Sequence, residues 1–367
     1  MYAPRVRSGL HLSPSLTPFL VATAAVLATV AAWATFGART TSNDAIYPIG
    51  GPISARSVAY SVPGLLSDTI YVRPLAGGEA REVRTFRYAY NLHLTGVASP
   101  TADRIAVLHI DNTDARARLA IVSIPSGETV DSESQFDYLS PLAWSPDGRF
   151  VAAVLTPDSG SRGVAVLQVD AWTGKAAAVA QFDAGVRAAP VGYSSDSKRL
   201  LIVVIDQGGS SLWVRSGDSL ERLAYFSPGP TRAWSLSPDG SRLAFVERIG
   251  VGERSNAGRT LTIATGQVSA ASAANDQLGA AWRPGSGVAD FGGPGGSVRL
   301  TDPAPGEYIV PIAFAPDGAT LVAEVYAPHA DDPASVDVTI ELLSVGARTR
   351  LSEFDGARFL GFVRDSD

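Results

Sequence analysis

Two hydrophobic patterns divide the chain. From Pro18 to Phe36 the run PFLVATAAVLATVAAWATF is almost wholly apolar, and no Lys, Arg, Asp or Glu lies between Arg7 and Arg39. Beyond residue 53 the apolar positions come instead in short alternating runs bounded by Gly, Pro, Asp and Ser, a period of two that predicts strands buried on one face. The first pattern predicts one helix of membrane length. Its 19 residues would span about 28 Å at about 1.5 Å each, close to the roughly 30 Å hydrocarbon core of a bilayer.

The second pattern repeats. Its clearest copies are LAWSPDGRFVAAV from Leu142, SLSPDGSRLAFV from Ser235 and IAFAPDGATLVAEV from Ile312, and weaker copies start at Gly96, Val191 and Ala280. The aligned positions Pro100, Pro146, Ser195, Pro238, Pro284 and Pro316 are 46, 49, 43, 46 and 32 residues apart, close to the length of one propeller blade except at the last step. Midway between them lie turn glycines at Gly77, Gly127, Gly174, Gly217, Gly266, Gly306 and Gly346. Seven glycines at a mean spacing of about 45 residues favour seven units over six or eight, with the short step taken as a trimmed loop rather than a lost unit. The missing seventh copy of the first motif is split between the chain ends, ARSVAYSV from Ala55 matching a second strand and ARFLGFVRD from Ala357 a first strand. Pairing these two strands would close the ring and cover a sheet edge. The expected fold is therefore all-β: a seven-bladed propeller of four-stranded antiparallel blades, preceded by one transmembrane helix. The expected organisation is a tail over 1–15, an anchor over 16–37, a tether over 38–52 and a propeller over 53–367.

The repeated Ser-Pro-Asp-Gly element is turn chemistry, since Ser suits the first position of a type I turn, Pro presets φ at the second and Gly accepts the last. Asp147, Asp239 and Asp317 are read as turn residues. Two positions before each aligned proline stand Ala98, Trp144, Tyr193, Leu236, Trp282 and Phe314, which alternation places on one sheet face, packed between blades.

Charge orients the whole. Arg5 and Arg7 precede the apolar run and Arg39 follows it, with acids appearing only from Asp44, so the positive-inside rule puts the N-terminus in the cytoplasm and the propeller outside, periplasmic or extracellular. A secretory signal peptide cut near the Ala32-Trp33-Ala34 pattern is the competing reading, and it leads to the same side of the membrane. The chain has 36 acidic against 30 basic residues, a net charge of −6 and no cysteine. Those numbers exclude a disulfide scaffold and argue against a nucleic-acid surface, which needs clustered basic residues. Hydrophobic residues at 46% and charged ones at 18% are globular proportions rather than disordered ones.

The x-W-S-P-D-G-x-x-L-A-F pattern resembles the TolB-type, WD-repeat-like propeller repeats of bacterial envelope proteins, over nearly everything after the anchor. The resemblance implies a propeller and leaves activity open, because such propellers serve as interaction platforms, binding domains or substrate-gating domains. TolB itself is a soluble periplasmic protein with an extra N-terminal domain, where this chain has its apolar run. Propellers of the prolyl-oligopeptidase type are also similar, but they accompany a separate hydrolase domain.

No G-x-S-x-G, H-E-x-x-H, G-x-x-x-x-G-K-[ST] or G-x-G-x-x-G element occurs. His93 and His109 are read as packing or hydrogen-bonding residues. His329 with Asp331 and Asp332, in PHADDPASVD, is a weak candidate for a cation. Asp111, Asp114, Asp158, Asp206, Asp331 and Asp332 all fall between second and third strands of their units, so they are expected on one face. Loops carried on a rigid scaffold concentrate binding residues, and this face is the expected contact surface. The expectation is a membrane-anchored, extracytoplasmic interaction or scaffold module that is not catalytic and carries no cofactor, with an envelope or extracellular protein as partner and no nucleic acid. The alternative is a small-ligand sensor or enzyme using the central funnel.

Overall fold

The computed structural model describes residues 55–87, 92–110, 117–155, 163–250, 256–296, 298, 300–329, 335–353 and 356–364. The chain divides into units 1–43 and 44–367, and every described residue belongs to the second. The anchor and tether expected over 16–52 lie outside the described residues. Among those residues no helix is long and apolar enough to cross a membrane.

Among the described residues the strands form six four-stranded antiparallel blades and one two-stranded sheet. Blade 1 runs Arg358–Val363, Ser57–Pro63, Ser67–Pro74, Arg81–Arg87. Blade 2 is Thr95–Ala98, Arg104–Ile110, Ala117–Ser123, Thr129–Phe136, and blade 3 is Ala143–Trp144, Phe150–Val154, Gly163–Asp170, Ala176–Asp183. Blade 4 comprises Arg187–Tyr193, Arg199–Asp206, Gly209–Ser216, Ser219–Ser227, and blade 5 Thr231–Leu236, Arg242–Arg248, Asn256–Thr262, Gln267–Asn275. A short sheet of Gly279–Trp282 and Ala289–Gly292 follows, then blade 6 with Tyr308–Phe314, Leu321–Pro328, Val336–Ser344 and Ala347–Arg350. First strands of neighbouring blades approach one another, as Arg187–Tyr193 does Ala143–Trp144 on one side and Thr231–Leu236 on the other. This end of each sheet is therefore innermost.

Strand alternation makes the ring. In Arg242–Arg248, Leu243 and Phe245 join the apolar cluster shared with blade 4, while Ala244 joins the one shared with the short sheet. Further clusters link blade 3 to blade 4 and the short sheet to blade 6. One cluster holds Val58 and Phe359 of blade 1, Val97 of blade 2, Trp144 of blade 3 and Val322 of blade 6, so the ring also closes in its packing. Its chain-end strands pair antiparallel, Ser57 opposite Val363 and Ser61 opposite Arg358.

The repeated motif is the turn between first and second strands. Ser145 Oγ lies 2.5 Å from Asp147 Oδ1 and accepts from Phe150 N at 2.9 Å, and Asp147 Oδ1 accepts from Arg149 N at 3.1 Å. Ser237, Asp239 and Arg242 reproduce these bonds, as do Ser194, Asp196 and Arg199. Asp317 accepts from Ala319 N at 2.8 Å. Trp144 and Trp282, each 1% exposed, lie between blades. Trp144 Nε1 donates to Val97 O at 2.9 Å and Trp282 Nε1 to Ser235 O at 2.8 Å, the same register in both cases.

Seven full blades were the expectation, and it is corrected: the unit between blades 5 and 6 stops after two strands. Gly306 has φ +84°, like the other six turn glycines, whose φ lies between +58° and +93°. The other six each join a third strand to a fourth, whereas Gly306 only leads into Tyr308. The segment before it holds Gly293, Pro294, Gly295, Gly296, Pro303 and Pro305. Proline supplies no ladder donor and glycine no side chain to pack, which fits the lack of third and fourth strands among the described residues there. Val298 and Leu300 are nevertheless buried against blade 6.

Candidate interaction face at the mouth of the ring

Antiparallel strands give the ring two ends. The Ser-Pro-Asp-Gly turns and the turn glycines share one, the turn end. The connections between second and third strands, and those from blade to blade, share the other, the mouth. Chain termini of the described unit are at the turn end, where Val363 pairs with Ser57 and Arg364 N donates to Ala102 O. The Gly64–Ser67 turn, one strand length further on, is at the mouth.

A polar network organises the mouth where blades 1, 2 and 3 meet. Asp68 opens a third strand, and its side chain is only 1% exposed. A buried carboxylate needs donors, and Asp68 has two: His93 Nδ1 is 3.0 Å from its Oδ1, and Leu94 N donates to its Oδ2 at 2.5 Å. These bonds fasten the blade 1 to blade 2 connector. Tyr138, on the next connector, donates its hydroxyl to His93 O. Arg358, the first residue of the innermost strand of blade 1, donates Nη1 to His93 O at 3.3 Å and lies 3.4 Å from the Tyr138 hydroxyl. Burial raises the Tyr138 phenol above its ordinary range, and the Arg358 charge partly offsets this.

Two more arginines enter from inner strands. Arg187, exposed and first in its strand, donates Nη2 to Leu139 O at 3.1 Å. Arg232 is second in Thr231–Leu236. Across the mouth, Tyr308 and Tyr326 stack with centroids 4.6 Å apart, and Tyr326 donates to the buried Glu324 at 2.8 Å. Burial and then Glu324 drive the Tyr326 phenol far upward, and the charge of Arg232 pulls it partly back. Around this polar lining stand exposed leucines on the connectors: Leu65 at 94%, Leu66 at 76%, Leu139 at 57% and Leu92 at 40%. Isolated exposed apolar residues are ordinary, but a group of four on the connectors of one corner marks a contact surface.

Of the acidic residues expected on this face, Asp206 is described: it is exposed and accepts from Gly208 N at 2.7 Å, capping a tight turn at the mouth. Asp111, Asp114, Asp158, Asp331 and Asp332 lie outside the described residues. His329 is described, its amide donating to Ser335 O at 3.1 Å. No group of three metal-ligating side chains occurs among the described residues. The arginines were missed. Their signal was the recurrence of Arg at the opening of the first strand in three repeats, several residues upstream of the turn motif that drew the alignment.

Comparison by sequence finds no matching family model and no matching curated protein. Solved structures match in fold. TolB from Acinetobacter baumannii is 15% identical, with 84% of this chain and 68% of that chain covered and a TM-score of 0.51. The fold is a TolB-like β-propeller. A putative TolB from Agrobacterium tumefaciens is also 15% identical, with 81% and 92% covered and a TM-score of 0.50. The β-propeller domain of the Trilobed protease from Pyrococcus furiosus, described as having an open velcro topology, is 13% identical with 82% and 95% covered and a TM-score of 0.56. Here, by contrast, the last strand pairs with the first.

Proposed function

We propose that this protein is a membrane-anchored, extracytoplasmic β-propeller that acts as a protein-interaction or scaffold module of the cell envelope, without catalysis of its own, and that it meets its partner through the mouth. The observation that carries the reading is the set of exposed leucines, Leu65, Leu66, Leu92 and Leu139, held on connectors that a buried hydrogen-bond network fixes in place. Exposed apolar groups gathered on one face mark interaction surfaces. The uncharged run over 18–36 supports the anchor and the arginines before it support the orientation. Asp206, exposed at the same face, contributes to association by charge. The test is co-purification of membrane partners with the full chain against a Leu66→Asp/Leu139→Asp variant. Partner recovery should fall with no change in melting temperature, and unchanged recovery would remove the leucines from the interface.

The second reading is a small-ligand sensor or enzyme working in the funnel. It draws on the Asp68–His93 pair, in which a buried carboxylate orients an imidazole at the mouth, and on the likeness to the propeller of a protease. Ligand-induced stabilisation that His93→Ala abolishes would favour it.

A further inference from the structure

We propose that the mouth takes a carboxylate-bearing, extended peptide segment of the partner, gripped by Arg187, Arg232 and Arg358 and laid over Tyr138, Leu66 and Leu139. This rests on the interaction reading and gives it a chemistry. In a chain of net charge −6, three innermost strands begin with or next to an arginine, at one end of one ring. Arg187 and Arg358 reach the same two-residue stretch from opposite sides: Arg187 Nη2 is 3.1 Å from Leu139 O, and Arg358 Nη1 is 3.4 Å from the Tyr138 hydroxyl. These acceptors are neutral. A guanidinium offers a planar fork that matches both oxygens of a carboxylate, which the single carbonyl oxygen of Leu139 cannot fill. An incoming carboxylate would therefore displace the Arg187–Leu139 bond at a net gain. The rest of the lining supplies what a peptide needs beyond its charge, since Arg and Tyr are enriched in interface hot spots and exposed apolar patches mark interaction sites. A nucleic acid would gain little from those leucines.

The experiment uses the full chain in detergent and the fluorescein-labelled peptide Gly-Leu-Leu-Asp-Glu-Leu with a free C-terminus, read by fluorescence anisotropy. Its uncharged counterpart, Gly-Leu-Leu-Asn-Gln-Leu amide, and a short single-stranded oligonucleotide serve as comparisons. The acidic peptide should bind at least about tenfold more tightly than the neutral one, and its affinity should fall when salt rises from about 0.05 to about 0.3 M. Arg187→Glu, at an exposed position, should weaken binding by about tenfold or more with an unchanged melting temperature. Arg232→Gln should act in the same direction, and Lys198→Glu, a like charge reversal in a first-to-second-strand turn at the other end, should do nothing. Equal binding of the two peptides, undiminished binding by Arg187→Glu, tighter binding of the oligonucleotide, or no binding of the acidic peptide up to about 1 mM would each overturn the proposal. If that happens while Leu66→Asp/Leu139→Asp still loses its partner, the carboxylate assignment falls and the interaction reading stands.

Discussion

Replacing Trp282 tests how the short sheet is held in the ring. Trp282 is 1% exposed, donates Nε1 to Ser235 O at 2.8 Å, and carries the Arg242 guanidinium 4.9 Å from its ring centroid. Its sheet has two strands among the described residues, and the buried members of its cluster with blade 5 are Ala244, Ala280, Trp282 and Phe291. Trp282→Phe removes one buried hydrogen bond, about 1 kcal/mol net, and leaves a void the size of a pyrrole ring, about 1 kcal/mol more. Trp282→Ala should cost about 5 kcal/mol. At about 2.1 cal/mol/K per residue over roughly 310 residues, unfolding entropy is about 0.65 kcal/mol/K. The expected falls in melting temperature are therefore about 3 °C and about 8 °C. Differential scanning calorimetry measures them directly, with Trp172→Phe as the control because Trp172 is 65% exposed. If Trp282→Phe costs no more than Trp172→Phe, the inter-blade bond contributes nothing and the account of how blade 5 holds its neighbour is wrong.

Two further outcomes are expected. Ending the chain before Ala357 removes the buried Phe359, Leu360 and Val363 and bares the edge of Ser57–Pro63, so the shortened protein should aggregate or lose its cooperative melt; a monomer melting as sharply as the full chain would contradict closure. Hydrogen bonds from Ser237, then from the Ser241 amide and hydroxyl, hold the Asp239 carboxyl down to about 2, against about 3.9 in an unfolded chain. A depressed folded value gives stability that is present above about pH 4 and lost as pH falls toward 2. Asp239→Asn should therefore be less stable at neutral pH, by about 1 kcal/mol at most at this exposed site, and should lose less between pH 4 and 2 than the unmodified protein; parallel acid-unfolding curves would refute the turn assignment.

The fold was legible where local chemistry and strand period agree. Ser145-Pro146-Asp147-Gly148 specifies its turn by its own side chains, and the bonds observed at Ser145 and Asp147 recur at Ser237 and Asp239. Ring closure was legible too, because Ala55 and Ala357 each begin half of one repeat. Gly306 misled: its conformation is that of the other turn glycines, but a turn makes a hairpin only if its flanks can pair, and Pro303 and Pro305 prevent that. The mouth was only partly legible. Loop position follows from alternation, and Asp206 lies at a second-to-third-strand turn, but the convergence of Asp68, His93, Tyr138 and Arg358 joins residues up to 290 positions apart in a 367-residue chain. No period in the sequence reports such a meeting, since it depends on the last strand returning beside the first.

The claim that the mouth is the partner surface is tested most directly by site-specific photo-crosslinking in intact cells. A photoreactive amino acid is placed at Leu66 or Leu139 at the mouth, and at Trp172 or Val345 at the turn end, all four of them exposed. The account expects one discrete crosslinked band from both mouth positions, weakened by Arg187→Glu, and none from the turn end. Crosslinks confined to Trp172 or Val345, with Leu66 and Leu139 silent, would contradict it.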